Sequence, residues 1–288
     1  MPRDAVGTLV REWRGRRHRS QLDLALEVGV SARHLSFVET GRAKPSPELV
    51  IALAEGLDVP LRERNTMLLA AGYAPRYGET SLGDPSMAMM HAAIQRLLDA
   101  HDPYPGLVID RHWNVVLSNQ AAAALVAGLP VELLGPPLNV YRVCLHPEGL
   151  AAHTRNFPAW ATYLVHQLRR SVVLTNDPKL IALQHEIAAY PTVAELARDE
   201  RGAAWEEPPL LVPVVVELGG SVLSLFTTLT TFGTPRDITL DELAVELFFP
   251  ADRQTEELLR GGTTGASTRP SHDGRAASAG DASASTNT

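Results

Sequence analysis

Cysteine is nearly absent from the 288 residues. A single residue of that type, Cys144, excludes an intramolecular disulfide and a multi-cysteine zinc site. Long apolar runs are missing too: the nearest candidate, AAAALVAGLPVELLG, is interrupted by Pro130 and Glu132, so no membrane span is expected. The first residues carry charge at Arg3 and Asp4 and show no apolar signal-peptide core, which points to a cytoplasmic setting without a membrane partner. Catalytic signatures are equally scarce. Cys144 and His146 stand two apart and would diverge on a helix, with no glycine-rich elbow nearby. His146, His153, His166 and His185 lack the i, i+4 pairing around a glutamate that a catalytic zinc helix requires. An enzyme, a metal centre and a cofactor are therefore not expected.

What is present is an asymmetric charge. The chain carries a net −7, yet residues 1–44 hold nine Lys/Arg against five Asp/Glu, a net +4, which leaves −11 for the remainder. A basic head on an acidic body draws the head alone toward polyanions. Arg16, Arg17 and Arg19 read as general phosphate attraction or as solvated charge.

The apolar spacing of Val6, Leu9, Val10 and Trp13 predicts an amphipathic helix from Val6 to about Arg17. Ser20 caps a second helix that ends at Gly29, and Ser31 caps a third, Ala32 to Thr40, that stops at Gly41. A fourth starts near Pro47 and a fifth ends at Gly72. Helices two and three are separated by Gly29, Val30 and Ser31, the spacing of a helix-turn-helix. Leu35 and Val38 point inward with Leu24, Ala25 and Val28, which leaves Ala32, Arg33, Ser36 and Phe37 outward. In such a unit the N-terminal part of the second helix reaches base edges in the major groove, where arginine matches guanine and phenylalanine or alanine can meet a thymine methyl. Gln21, Arg42 and Lys44 are placed for the phosphate backbone, and His34 either joins them or is solvated.

Residues 75–90 read as a linker rich in Gly, Pro and Ser. The part from 91 to 260 mixes helices with β-rich runs at 107–117 and 210–232, the latter hinged by Gly219 and Gly220; the expectation is an α+β domain with one small antiparallel sheet, closed on one face by helices from 139 to 190. Residues 261–288 lack Leu, Ile, Val and aromatics and read as a disordered tail.

The stretch SQLDLALEVGVSARHLSFVETGRAKPS resembles the lambda-repressor-like (XRE-type) helix-turn-helix, and LRERNTMLLAAGYAP narrows the resemblance to the MmyB-like transcriptional regulators. It continues through DRHWNVVLSNQAA, LHPEGLAAHTRNFPAWATYLVHQLRR and TFGTPRDITLDELAVELFFPAD, and so covers most of residues 5–255. The resemblance implies a multidomain chain: a five-helix all-α DNA-binding domain over 1–74, then an α+β PAS-like domain over 91–260 that takes a fatty-acid-like ligand. It also implies that Gln21 clamps the DNA backbone, that Ala32, Arg33 and Phe37 face bases, and that Arg14 and Glu39 lock helix one to helix three. A double-stranded DNA operator, a small amphiphile and a second copy of the chain, as a homodimer, are the implied partners. A second domain that instead recruits a protein such as RNA polymerase stays open.

In that second domain Asn139, Arg142, His146, Asn156 and Trp160 suggest a polar ligand site. Arg142 and His146 are four apart and would share a helix face suited to a carboxylate, although the same residues could cap helices and tie a core. Trp113, Trp160 and Phe226 either line an apolar pocket or pack in the core.

Overall fold

The computed structural model describes residues 5–198 and 211–261; the segment read as a disordered tail lies, apart from Gly261, outside the described residues. The first five helices are α1 (Ala5–Arg16), α2 (Gln21–Glu27), α3 (Ala32–Glu39), α4 (Pro47–Gly56) and α5 (Leu61–Ala70). Their starts follow the capping residues: the hydroxyls of Ser20, Ser31 and Ser46 accept from the backbone N–H of Asp23, His34 and Leu49. Gly29 and Gly41 close α2 and α3 at φ of 72° and 71°, where a side chain would be strained. Val10, Trp13, Leu24, Leu35, Val38, Val50, Leu53 and Met67 make the core of this head. Gly7 lets α1 lie against the end of α3, because a Cβ there would stand 2.3 Å from the Val38 carbonyl oxygen.

The rest of the described chain contains α6 (Ala88–His101), β1 (Gly106–Ile109), β2 (Val115–Ser118), α7 (Gln120–Val126), α8 (Val131–Leu134), α9 (Val140–Leu145), α10 (Phe157–Thr175), α11 (Pro178–Ala188), α12 (Pro191–Arg198), β3 (Val214–Leu218), β4 (Ser221–Thr231), α13 (Ile238–Asp241), β5 (Ala244–Pro250) and α14 (Arg253–Gly261). The strands form one antiparallel sheet in the order β2-β1-β5-β4-β3. The two β-rich runs do share a sheet, but they do not pair with each other. β5, which the sequence reading had not assigned as a strand, lies between them, with Val245 opposite Val108 on one side and Thr230 on the other.

Side chains alternate across this sheet. Ile109, Val214, Val216, Leu223 and Leu225 face the layer of α9, α10 and α11, whereas Val108 and Val245 face Ile94 and Leu98 of α6. The segment preceding α6 is packed rather than loose: Leu82 and Met87 are buried, and the Thr80 hydroxyl donates to Asp237 at 2.8 Å. Among the described residues no helix is long and apolar enough to cross a membrane.

Candidate nucleic-acid interface and ligand cavity

The outward face of α3 is built by its buried face. Leu35 and Val38 are each 1% exposed, which turns Arg33, Ser36 and Phe37 away from the core. The Arg33 guanidinium lies 5.3 Å from the Phe37 ring, a cation–π contact that holds both on the same face. Ala32 is half-buried against the head core, so it is less outward than its helical position suggested. Ser31 is committed as a cap, accepting from His34 N–H at 3.1 Å. Arg42 and Lys44 follow as exposed cations, the latter 4.7 Å from the Tyr73 ring.

Behind this face Glu39 organises three elements. Its carboxylate accepts from Arg14 Nε at 2.7 Å and Nη2 at 3.1 Å, and from Gln21 Nε2 at 2.7 Å. The Arg14–Glu39 pair thus joins α1 to α3 as the resemblance implied. Gln21 is drawn into the same network, leaving its Oε1 and its second amide hydrogen for other partners. Two of the basic residues read as general attraction also have internal work: Arg17 donates to the carbonyls of Leu57 and Asp58 at 2.9 and 2.8 Å, and Arg19 bonds Glu27.

In the second domain an apolar cavity of about 110 Å³ opens between the sheet and the helices around α9 and α10. Its walls include Leu107, Trp113, Val115, Leu125, Trp160 and Leu225. Trp113 and Trp160 both border this cavity and belong to the buried core beside it. Phe226 does not: it follows inward-facing Leu225, lies on the opposite side of the sheet and stacks on Phe249 at 5.4 Å.

The polar residues expected at the ligand lie outside the cavity wall, each bonded to the protein. Asn139 caps α9 and donates to His112 O and Asn114 Oδ1 at 2.9 and 3.0 Å. Arg142 forms a two-pronged pair with Glu186 at 2.7 and 2.8 Å, reinforced by the Tyr190 hydroxyl on the same carboxylate. His146 ends α9 instead of sharing its face with Arg142; its Nδ1 accepts from Glu148 N–H at 3.2 Å, and its ring packs edge-on to Tyr190. Asn156 ties Pro213 O and Val215 N–H at 2.7 and 2.9 Å. For these four, capping and tying is what the geometry realises.

Two features of the cavity escaped the sequence reading. Glu246, on β5, borders it at 8% exposure, with Oε2 bonded to nothing. Burial pushes this carboxyl up to about 7, against a smaller opposing contribution from the Thr227 side chain. Its only sequence signal is a lone acid inside the apolar run AVELFFP. Cys144 also borders the cavity; burial pushes its thiol up to about 12, the opposite of what an activated nucleophile needs. Among the described residues no group of His, Cys, Asp and Glu is placed to hold a metal.

The cavity and the head meet at the β1–β2 turn. Trp113, at φ 66°, borders both the cavity and a cleft of about 260 Å³ lined by Trp13, Pro60 and Glu63 of the head. Asp110 pins this turn by accepting from the backbone of His112 and Asn114 at 2.8 and 2.9 Å. Arg111 then bonds Asp177 and donates to Glu242 at 2.8 Å, and Glu242 also accepts from Arg62 of α5.

Residues 90–261 match the MmyB-like transcription regulator ligand binding domain, and residues 10–64 match a helix-turn-helix model. The chain is 32% identical over 135 residues to the HTH-type transcriptional regulator Rv0023 of Mycobacterium tuberculosis and equally to Mb0023 of Mycobacterium bovis, a stretch covering 44% of this chain and 46% of each relative. It thus spans about half the length of those relatives. The crystal structure of the clp gene regulator ClgR from Corynebacterium glutamicum is 28% identical, covering 25% of this chain and 90% of that one at a TM-score of 0.22. Because the first of these matches takes in more than half of the residues, the chain belongs to the MmyB-like transcription regulators, which join a helix-turn-helix to a ligand binding domain.

Proposed function

We propose that the protein is a sequence-specific DNA-binding transcription regulator whose second domain senses a small apolar, fatty-acid-like molecule. The observation that carries this reading is the placement of Trp113, one indole shared by an apolar cavity and by the cleft facing the DNA-binding head. A ligand shifts operator affinity only by its different affinity for two arrangements of the protein, and a residue in contact with both regions is where such a difference can arise.

In this reading Arg33 reads a base edge, Phe37 and Ala32 lie against the base methyl surface, and His34, Ser36, Arg42 and Lys44 hold phosphate, joined by the free amide positions of Gln21. Ser31 positions the helix N-terminus. Binding as a homodimer predicts two half-sites about one helical turn, or 34–36 Å, apart. The alkyl body of the ligand occupies the space between Trp113, Leu125 and Trp160. Arg142, already paired with Glu186, has no part in holding it.

The test is to select an operator from random DNA with the purified full chain, then titrate medium-chain amphiphiles while following operator affinity by fluorescence anisotropy. A selected sequence whose affinity shifts with ligand supports the reading. Failure to enrich any sequence removes the DNA-reading part, and enrichment without any amphiphile binding removes the sensing part.

A further inference from the structure

Glu246 is an unusual residue to find in an apolar cavity. Burying a carboxylate without a partner costs several kcal/mol, and proteins ordinarily avoid it or pair the charge. No ion pair to Glu246 exists among the described residues. Four polar groups stand close to it: the Thr227 side chain of β4, which hydrogen-bonds the carboxyl, Tyr141 of α9, the Cys144 thiol of the same helix, and Tyr163 of α10. None of them bonds its Oε2, and the Tyr141 hydroxyl is itself buried without a partner. The strand offers no escape, because β5 turns Ala244, Glu246 and Phe248 to the cavity side while Val245 and Leu247 pack toward α6. A carboxyl is thus held at the wall of a cavity whose other lining groups are almost all apolar, with its unbonded Oε2 covered just behind the surface.

We propose that Glu246 is the polar recognition point of this cavity and that it selects a ligand whose buried end is an uncharged hydrogen-bond donor, a hydroxyl on an aliphatic chain. This rests on the ligand-sensing reading above and specifies the chemistry of its ligand. A hydroxyl donates to the carboxylate once a rotation of the side chain turns an oxygen into the cavity, and can accept in return when the carboxyl is protonated, so each form of Glu246 finds a partner. A carboxylate placed at the same depth would set two anions together in a medium of low dielectric, which is unfavourable. A primary ammonium would pair with the carboxylate but would bring its own desolvation into a wall without a second acidic partner among the described residues. An acyl ligand can therefore enter only with its carboxylate toward the mouth, and it gains from Glu246 only if its far end bears the donor. Aliphatic alcohols and ω-hydroxylated acyl chains share that chemistry.

The experiment is direct binding of octanol, octanoate, ω-hydroxyoctanoate and octylamine to the full chain by calorimetry or tryptophan fluorescence, in wild type, Glu246→Gln and Glu246→Leu. Octanol or ω-hydroxyoctanoate should bind roughly tenfold tighter than octanoate in wild type. The preference should survive in Glu246→Gln, whose amide oxygen still accepts, and vanish in Glu246→Leu. Which of the two hydroxylated probes binds tighter identifies the source: the alcohol points to a neutral lipid, the ω-hydroxy acid to an acyl chain. Octanoate binding as tightly as both, octylamine outbinding both, or a hydroxyl preference that persists in Glu246→Leu would overturn the proposal while leaving ligand sensing in place. No binding of any probe would overturn both.

Discussion

Arg62 of α5 and Glu242, just ahead of β5, are joined twice, Nε to Oε1 at 2.6 Å and Nη2 to Oε2 at 3.0 Å. The same Glu242 oxygen accepts from Arg111 in the turn that carries Trp113, so one carboxylate bridges the head and the cavity wall. Glu242→Gln should uncouple them. A ligand-linked change in operator affinity worth about 1–3 kcal/mol should fall toward zero, while ligand binding itself is preserved. Anisotropy titrations with and without ligand measure this directly; an unchanged ligand response would show that coupling runs elsewhere.

Arg33→Ala should weaken the selected operator by about 1–3 kcal/mol and leave random DNA almost unaffected. Losing affinity equally on both would reassign Arg33 to phosphate. The side chain stacks on Phe37, so Phe37→Ala should lower cognate affinity as well by freeing the guanidinium.

Glu39 is 4% exposed and accepts from both Arg14 and Gln21. Glu39→Ala leaves the partly exposed Arg14 guanidinium with one internal partner, the Arg19 carbonyl at 2.9 Å, a loss of about 1–3 kcal/mol, which is a sizeable part of a small domain's stability. Thermal unfolding of the full chain, with the head followed by hydrogen exchange, should show its helices opening first. Equal exchange in mutant and wild type would contradict the assignment.

Glu246 should make stability fall as pH rises. Its folded pKa of about 7 lies above the usual carboxyl value near 4.3, so the folded state holds the proton more tightly. The penalty for ionising it begins above the unfolded pKa, grows through the interval between the two values and is complete above the folded one, reaching about 3–4 kcal/mol. Glu246→Gln should therefore gain on wild type in chemical denaturation at pH 8 compared with pH 5. A constant difference between the two pH values would mean that the carboxyl is not desolvated.

Much of the head could be read directly, because local chemistry decides it: serine caps, left-handed glycines and a three-to-four spacing of apolar residues each act within one or two turns of helix. The bond between Arg14 and Glu39 followed from the family pattern. The second domain was less open to such reading. β5 lacks the usual contrast between a wet and a dry face, since Val245 and Leu247 pack on one side while Ala244 and Phe248 pack on the other. Without that strand the register of β4 had no reference, and Phe226 could not be told apart from Leu225. Charge and spacing single out Arg142, but its partner Glu186 lies 44 positions away, which no local pattern reveals.

The position of β5 also bears on how the protein is made. The hairpin β1–β2 of the second domain emerges from the ribosome long before β5, and the hairpin β3–β4 just before it. Until Pro250 has been synthesised, β1 and β4 each present an unpaired edge, which invites pairing with the wrong chain. The head, built from local contacts within its first seventy or so residues, has no such wait. A nascent chain therefore passes through a stage in which a finished helix-turn-helix head precedes an unfinished second domain, and truncations that stop short of β5 would extend that stage indefinitely.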